Sequence, residues 1–505
     1  MSRLSIPSTI VKLVCAAAVA AATSAAIAGK SDDTLNIAFD AAPATLDAYK
    51  ESDRPGLALG RMVFSGLIQK NQDTGEFGPA IASGYKFIDD KTLQLTIRKD
   101  VKFHDGSLLK LDDVLYTLNL VSSKDYNARF QNTVQWIAGV DKVDDTTVRI
   151  RMKEAYPLAL EMLSENLPIY QRSYYEKNQS DMGAKPVGTG PYKMVDSQPG
   201  SRYVFERFDG YFGTKPAIKR LVVRVLPDVN TQYAELMGGG LDWIWRLPPD
   251  AAKRIAAQKN VEVKSSSIMR ISYMSMNPAF QEGGSPLAKK EVRQAINHAI
   301  NREAIRKALV GGASKLTNSA CNPLQFGCST DVQSYDFDPK KAKAMLVKAG
   351  YPDGFTLDLV VAAPPRAIFE VIAANLAEVG IKLNLTEQQF GTAMTNWREN
   401  KVPLLGSNWG SYGIADVALS TSNFFKGGAD DMAKNPEVVK LLTQADASVE
   451  RDFRSKHYAQ ALKIIAEQAY WVPLWNHSLN AAQSSTLNFA VDGDEFPRFY
   501  KATWK

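Results

Sequence analysis

The stretch from Leu93 to Asn119, LQLTIRKDVKFHDGSLLKLDDVLYTLN, holds the most informative pattern in this 505-residue chain. Apolar and polar residues alternate from Tyr85 to Phe103 around the triplet DDK, which predicts a β-hairpin. The DG pair that follows is typical of a turn. Beyond it, SLLKLDDVLYTLNLV has apolar residues at helical spacing. This stretch therefore predicts a β-hairpin, a turn and a helix in that order.

The flanking sequence extends this pattern in both directions. Upstream, RMVFSGLIQKN predicts a short helix, and downstream VDKVDDTTVRIRM predicts a second hairpin. From Pro286 to Val310 the apolar spacing predicts one long amphipathic helix or a helix pair. Two later segments, DPKKAKAMLVKAGYPDGFTLDLVV and RAIFEVIAANLAEVGIKLNL, each run helix, glycine, strand, an order that favours an α/β domain with parallel pairing.

Composition places the chain among folded globular proteins. It is 45% hydrophobic and 23% charged, and its length predicts about three domains. The formal net charge is +6, but no run of five basic residues occurs. We therefore expect no nucleic-acid partner and no membrane partner of the mature chain.

The first 28 residues have the pattern of a secretory signal peptide. Arg3 and Lys12 precede an alanine-rich apolar stretch, and Ala26-Ile27-Ala28 supplies small residues for cleavage after Ala28. No later stretch approaches the length of a membrane span. The sequence predicts an exported, periplasmic protein.

Two cysteines remain after that cleavage, Cys321 and Cys328, in CNPLQFGC. In an oxidising compartment a disulfide is the favoured interpretation. Free thiols and a metal site stay open as alternatives, although the spacing does not fit a zinc knuckle and no histidine lies nearby.

The usual signatures of an enzyme are missing. The four histidines are far apart in the sequence, and none of the common hydrolase, metalloprotease or nucleotide-binding motifs occurs. We expect no catalytic residues, no cofactor and no metal. An exported amidase or peptidase remains a remote alternative, as does an adhesion or chaperone-like protein.

Aromatic and polar residues beside glycines mark a candidate ligand site in predicted loops. Flat rings with one polar tip suit organic ligands with polar ends. The residues concerned are Trp243, Trp245 and Arg246 after a triple glycine, Tyr273 and Asn277 in ISYMSMNP, and Trp409 and Tyr412 in NWGSYG. Gly188 and Thr189, in PVGTGPY, are expected at a hinge or a ligand-facing turn.

The order of these motifs resembles the extracytoplasmic solute-binding proteins of family 5, the dipeptide and oligopeptide type that serve ABC importers. The resemblance covers essentially the whole mature chain. It rests on FSGLIQKN, the Leu93 to Asn119 stretch, PVGTGPYKM, KKEVRQAINHAINREAI, DPKKAKAMLVKAGYPDGFTL and AYWVPLWN.

The resemblance implies an α/β, two-lobed periplasmic-binding-protein fold with the ligand cleft between the lobes and one lobe made of two subdomains. The first lobe would comprise residues 29–77, an extra subdomain at 78–188, then 189–285, and a C-terminal return at 476–505. The second lobe would be 286–475. His104 in KFHDG would be structural.

This sequence departs from the peptide-binding members at one position. Many of them carry an aspartate shortly after the second-lobe tryptophan, where it pairs with the peptide amine, but here that position is near Tyr412 and the nearest carboxylate is Asp416. Arg246, Arg270 and Arg366 are the arginines considered for a ligand carboxylate. We place Arg270 and Asp416 in the candidate site.

The resulting prediction is a monomeric substrate-binding component of an ABC importer. It would capture a peptide or peptide-like solute by closure of the lobes and deliver it to an inner-membrane permease. Alternative ligands are an opine or sugar-acid conjugate, glutathione or a metal chelate.

Overall fold

The computed structural model describes residues 30–51, 53–362 and 366–505. The predicted signal peptide, residues 1–28, lies outside the described residues. No helix within these described ranges is both long enough and apolar enough to cross a membrane.

The chain forms strands along its whole described length. They are β1 Thr34–Phe39, β2 Ile68–Lys70, β3 Phe77–Pro79, β4 Ala82–Asp89, β5 Thr92–Ile97, β6 Ile137–Lys142, β7 Thr147–Met152, β8 Tyr192–Gln198, β9 Arg202–Arg207, β10 Arg220–Val225, β11 Trp243–Ile244, β12 Val261–Met276, β13 Lys315–Leu316, β14 Phe355–Val361, β15 Ile381–Glu387, β16 Leu404–Trp409, β17 Trp471–Ser484, β18 Leu487–Asn488 and β19 Thr503–Trp504.

Helices alternate with these strands, most densely in the second half. They are α1 Arg54–Val63, α2 Leu111–Ser122, α3 Ala159–Glu161, α4 Arg172–Asn178, α5 Val229–Met237, α6 Pro249–Ala256, α7 Lys290–Ala299, α8 Arg302–Ile305, α9 Pro339–Lys348, α10 Arg366–Glu378, α11 Phe390–Arg398, α12 Thr421–Phe425, α13 Pro436–Asp446 and α14 Arg451–Glu467.

One large mixed sheet runs through the molecule in the order β15-β14-β16-β12-β17-β11-β1-β10-β9-β8, with β13 added beside β17. β14 pairs in parallel with both β15 and β16, and β1 pairs in parallel with β10. The predicted α/β class with parallel pairing is therefore confirmed. β12 and β17 are the long central pair, and they run antiparallel.

A separate four-stranded antiparallel sheet, β4-β5-β7-β6, contains both predicted hairpins. The alternation in β5 places Leu93 and Leu95 fully inside, with Ile97 almost so. α2 follows as predicted. Its Asp113 side chain accepts a hydrogen bond from the Lys110 backbone N–H at 2.8 Å, which satisfies one donor at the start of the helix.

Two hydrophobic cores occupy opposite ends of the large sheet. The larger core includes Leu35 from β1 and Trp243 from β11, while the other includes Leu359 from β14 and Leu404 from β16. The central strands extend from one to the other, since Ala481 of β17 packs in the first core and other residues of the same strand pack in the second. The domain boundaries near residues 285 and 475 stay predictions.

Two secondary-structure predictions need correction. RMVFSGLIQKN is not one helix, because Arg61 lies in the last turn of α1 and Ile68–Lys70 forms β2. Trp243 and Tyr273 were expected in loops but lie within β11 and β12, where their rings are buried. Of the two alternatives for residues 286–310, the structure has the helix pair, α7 and α8, with the break at Ile300.

Candidate functional site

A cavity of about 500 Å³ is lined mostly by residues from the first half of the chain. Its wall is formed by α1, the segments around residues 128–133 and 164–168, and the C-terminal segment, with Tyr412 and Ile414 reaching it from beyond β16. Aromatic rings line much of it, as a site for organic ligands requires. They include Phe64, Phe130, Phe212, Tyr412, Phe496 and Tyr500.

Helix α1 supplies one charged and apolar face of this cavity. Pro55 lies in the first turn of the helix, where its missing N–H costs no hydrogen bond. Arg54, Leu57, Arg61 and Phe64 all line the cavity. They recur at intervals of three and four residues, so they share one face of the helix.

Arg61 belongs to a buried network of charges behind the cavity wall. Its guanidinium lies 2.9 Å from Asp494 and 3.1 Å from Glu165. The fully buried Arg498 lies 2.5 Å from each of the same carboxylates. Burial alone would raise the pKa of Asp494, but Arg498 and Arg61 together hold it well below its usual range. This network fixes the C-terminal segment against the cavity.

Arg54 is held in the same way by Glu495, at 2.8 Å. Glu495 also accepts a hydrogen bond from Arg270 Nε at 3.0 Å, and Arg270 donates a second one to Asn408 at 2.6 Å. The predicted site residue Arg270 therefore lies behind Arg54, and its guanidinium is bound to Glu495 and Asn408 rather than free to bind a ligand. It is absent from the described lining of the cavity.

Trp409 and Tyr412 lie together at the end of β16. Their ring centroids are 5.1 Å apart, and the Trp409 indole N–H donates to the Leu419 carbonyl at 2.7 Å. Tyr412 has φ 53° and is 55% exposed. Its ring reaches across the cavity to within 5.9 Å of the Phe130 ring. Of the predicted ligand residues, Tyr412 is the one among the described cavity-lining residues.

Asp416 is buried and paired within the protein. Its carboxylate lies 2.8 Å from Arg454 and accepts a hydrogen bond from the Ala418 N–H at 2.9 Å. Burial raises the pKa of Asp416, although Arg454 opposes that rise. The structure thus places this candidate amine partner in an internal ion pair.

Trp245 and Arg246 directly follow β11. Trp245 is buried, with its ring centroid 5.1 Å from that of Phe39. Arg246 has φ 60° and lies 3.6 Å from Asp40 on the surface. Neither is brought to the described cavity wall.

Tyr273 and Asn277 are core residues in this structure. The Tyr273 ring stacks on Trp471 with centroids 3.7 Å apart and planes within 5°. Asn277 is fully buried and donates to the side-chain oxygen of Asn400 at 2.7 Å. Tyr273 thus holds β12 against β17, and Asn277 holds the residue after β12 to the segment before β16.

Gly188 and Thr189 lie where α1 meets the segment before β8. A Cβ on Gly188 would sit 2.1 Å from the Val63 carbonyl oxygen, so only glycine fits this approach. The Gly188 N–H donates to His104 Nδ1 at 3.3 Å, and His104 Nε2 lies 3.0 Å from the Gly190 carbonyl oxygen. Burial lowers the pKa of His104 to about 4. His104 therefore acts as a neutral clamp on this loop.

Cys321 and Cys328 form a disulfide, as predicted. The loop between them supports the turn that carries Tyr412, because Gln325 donates to the Ser411 hydroxyl at 2.7 Å. Asn322 also donates to the Ile268 carbonyl in β12 at 2.8 Å. The disulfide loop thus connects the central strand with the Tyr412 turn.

One serine-histidine contact was missed in the sequence. The Ser272 hydroxyl lies 2.7 Å from His477 Nε2, between β12 and β17. Burial and the neighbouring Arg270 lower the pKa of His477 to about 3. An imidazole with so low a pKa is a poor general base at neutral pH, and neither residue is among the described lining of the cavity.

The sequence analysis also missed most of the cavity wall. One pattern that could have predicted part of the wall is RPGLALGRMVF, in which Arg54 and Arg61 share a helix face with Leu57 and Phe64. The contributions of Phe130 and Phe496 had no local signal, because only the tertiary fold brings these distant segments together.

Comparison with known proteins gives a consistent family. The sequence model described as "Bacterial extracellular solute-binding proteins, family 5 Middle" matches residues 76–431. Heme-binding protein A of Haemophilus influenzae is 28% identical over 468 residues, 85% of this chain and 84% of that protein. Glutathione-binding protein GsiB of Salmonella choleraesuis is 29% identical over 461 residues, 88% of this chain and 89% of that protein.

The fold is also found in solved structures. The structure of HbpA2 from Haemophilus parasuis superimposes with a TM-score of 0.84 at 22% identity, covering 94% of this chain and 100% of that one. The expected periplasmic-binding-protein fold is thereby confirmed.

Proposed function

Because the chain belongs to family 5 of the bacterial extracellular solute-binding proteins, we propose that it is the substrate-binding component of an ABC importer. It captures a peptide or a peptide-like organic solute in the periplasm and delivers it to an inner-membrane permease. No bond in the solute is broken.

The cavity is the observation that carries this proposal. Its volume of about 500 Å³ suits a small organic molecule. Tyr412 and Ile414, from beyond β16, line it together with α1. A solute that touches both of these segments binds a closed form more tightly than an open one, so binding shifts the population toward closure.

The aromatic wall and the arginines of α1 support an organic solute with polar ends. Two relatives carry names that refer to heme and to glutathione, and both of those compounds contain carboxylates on a larger body. The internal pairing of Asp416 with Arg454 favours ligands other than a plain dipeptide. Glutathione and opine or sugar-acid conjugates are therefore the second candidate class.

Native mass spectrometry of the purified mature protein tests this proposal. We expect a bound small molecule that is released on denaturation and can then be identified. Radius of gyration from small-angle scattering should fall when the released compound is added back to ligand-free protein. A protein that retains no small molecule from its host, and none from an added cell extract, would contradict the proposed function.

A further inference from the structure

The wall of the cavity carries more cations than carboxylates. The charged side chains that line it are Arg54, Arg61, Lys70 and Arg129, against Glu51 and Glu165. What matters for a ligand is whether any of these cations is unpaired, because an unpaired cation in a cavity partly screened from water attracts an anion more strongly than one on an open surface.

Both carboxylates are already engaged by the protein. Glu51 is buried and accepts hydrogen bonds from the backbone N–H groups of Thr45, at 3.0 Å, and Asp53, at 2.6 Å. Glu165 is held between two arginine side chains at 3.1 and 2.5 Å. Neither is placed to pair with a positively charged amine on a ligand.

The four cations differ in whether they already pair with a carboxylate of the protein. Arg54, Arg61 and Lys70 each form an ion pair with a carboxylate. Arg129 is exposed, and its guanidinium has no ion pair or hydrogen bond with any of the residues that the structure describes.

Arg129 is well placed to meet a ligand. Its backbone N–H donates to the Tyr49 carbonyl at 2.8 Å, which fixes the chain at this point. The next residue, Phe130, carries the ring that approaches Tyr412 across the cavity. A carboxylate near Arg129 would therefore lie at the edge of an aromatic surface, and guanidinium groups bind carboxylates through two parallel hydrogen bonds.

From this arrangement we infer that the cavity selects organic anions that carry a carboxylate and lack a free amino group, with Arg129 as the carboxylate-binding residue. The inference rests on the proposed function and narrows its substrate class to carboxylates without a free amine, such as N-blocked peptides and amine-free conjugates, which excludes unmodified peptides and glutathione. A zwitterionic dipeptide would bring an ammonium group into a wall with no available carboxylate, and burying that charge unpaired is unfavourable.

A retention experiment tests this inference. Ligand-free protein is immobilised and exposed to a small-molecule extract of bacterial cells to which Ala-Phe and N-acetyl-Ala-Phe have been added in equal amounts. Retained compounds are identified by mass spectrometry before and after treatment with an amine-reactive reagent. Arg129→Gln is compared with Arg149→Gln, which removes the same charge from an exposed position on β7 outside the cavity.

We expect the retained compounds to contain carboxylates and to be unreactive toward the amine reagent. Retention should fall about tenfold or more in Arg129→Gln, as expected when a charged hydrogen-bonding partner is lost, and should stay at the wild-type level in Arg149→Gln. Retention of amine-bearing compounds, or equal retention by Arg129→Gln and the wild type, would overturn the inference while leaving the proposed function intact. Retention of nothing by the wild-type protein would overturn both.

Discussion

Tyr412 offers a direct test of the cavity at the scale of one residue. Its ring is 55% exposed while its backbone is held at φ 53°. Tyr412→Ala keeps the same backbone cost, because alanine also disfavours positive φ. We expect ligand affinity to fall about tenfold while the free energy of unfolding changes by less than about 1 kcal/mol.

Isothermal titration with the ligand released from the native protein, combined with denaturant unfolding, measures both quantities. Phe453→Ala is the matched control, since its ring is 42% exposed on α14 and outside the described cavity wall. Equal affinities of Tyr412→Ala and the wild type would remove Tyr412 from the site.

His104 should make stability depend on pH. Its pKa is lowered from 6.5 to about 4, chiefly by burial, so the folded state favours the neutral ring. Its stabilising effect is complete above pH 6.5 and is lost as the pH falls toward 4. The difference of about 2.5 pH units corresponds to roughly 3 kcal/mol.

Urea unfolding of the wild type and His104→Gln between pH 7 and pH 4 checks this prediction. The fall in unfolding free energy over that range should be smaller in the variant by about 3 kcal/mol. His457→Gln, at a half-buried position on α14, controls for the loss of a histidine. A profile in His104→Gln as steep as the wild type's would show that His104 does not clamp the loop.

At this scale the sequence indicated some roles and hid others. The expectation that His104 is structural agrees with its contacts to the PVGTGPY loop. Trp245 and Tyr273 were chosen because large rings beside glycines suit ligands, but the same rings also suit a hydrophobic core, and both are buried. Residue type alone does not separate these two uses.

Among the larger elements, the disulfide loop should affect both stability and binding. Cys321 and Cys328 close a short loop, and the loss of such a closure is expected to cost about 2 kcal/mol. Because Gln325 in this loop donates to Ser411, loosening the loop should also displace the Tyr412 turn. Reduction should therefore lower both the unfolding free energy and ligand affinity.

The double variant Cys321→Ser with Cys328→Ser, measured by chemical denaturation and titration, tests this prediction. Adding a reductant to the wild type should give the same loss of stability and affinity as the double variant shows. The same reductant added to the variant is the control and should change neither quantity. Unchanged binding in the reduced protein would show that the turn stands without the loop.

Regular elements were more predictable than their surroundings. The hairpins β4-β5 and β6-β7 and the two helix-glycine-strand units followed directly from local periodicity. α1 was misplaced because its apolar face is interrupted by Arg54 and Arg61, whose partners lie more than a hundred residues away. A local sequence pattern cannot show that charged residues on a helix face are buried, when the carboxylates that pair with them lie far away in the sequence.

For the whole molecule, Arg498 joins the C-terminal segment to the segment that contains Glu165. It is 1% exposed and pairs with three carboxylates. Arg498→Met would leave these charges partly unpaired, and we expect a loss of about 3–5 kcal/mol in unfolding free energy at pH 7.

Denaturant unfolding at pH 7 tests this value, with Lys501→Met as the control. Lys501 pairs with Asp492 at the surface, so its loss should cost less than about 1 kcal/mol. Asp494 has a depressed pKa in the wild type, and its contribution is lost as the pH falls. The unfolding free energies of the wild type and Arg498→Met should therefore differ less in acid than at pH 7. A difference that does not change with pH would contradict this explanation.

The two long central strands also bear on how the protein is made. β17 and the segment after it, which carries Phe499 into the larger core, follow all the other strands of the large sheet in the sequence. A ribosome that has made the strands up to β16 has not yet supplied these parts, so the core around Leu35 is still incomplete at that point. The nascent chain therefore exposes apolar residues of β1 and β11 to chaperones until β17 and the residues beyond it have been made.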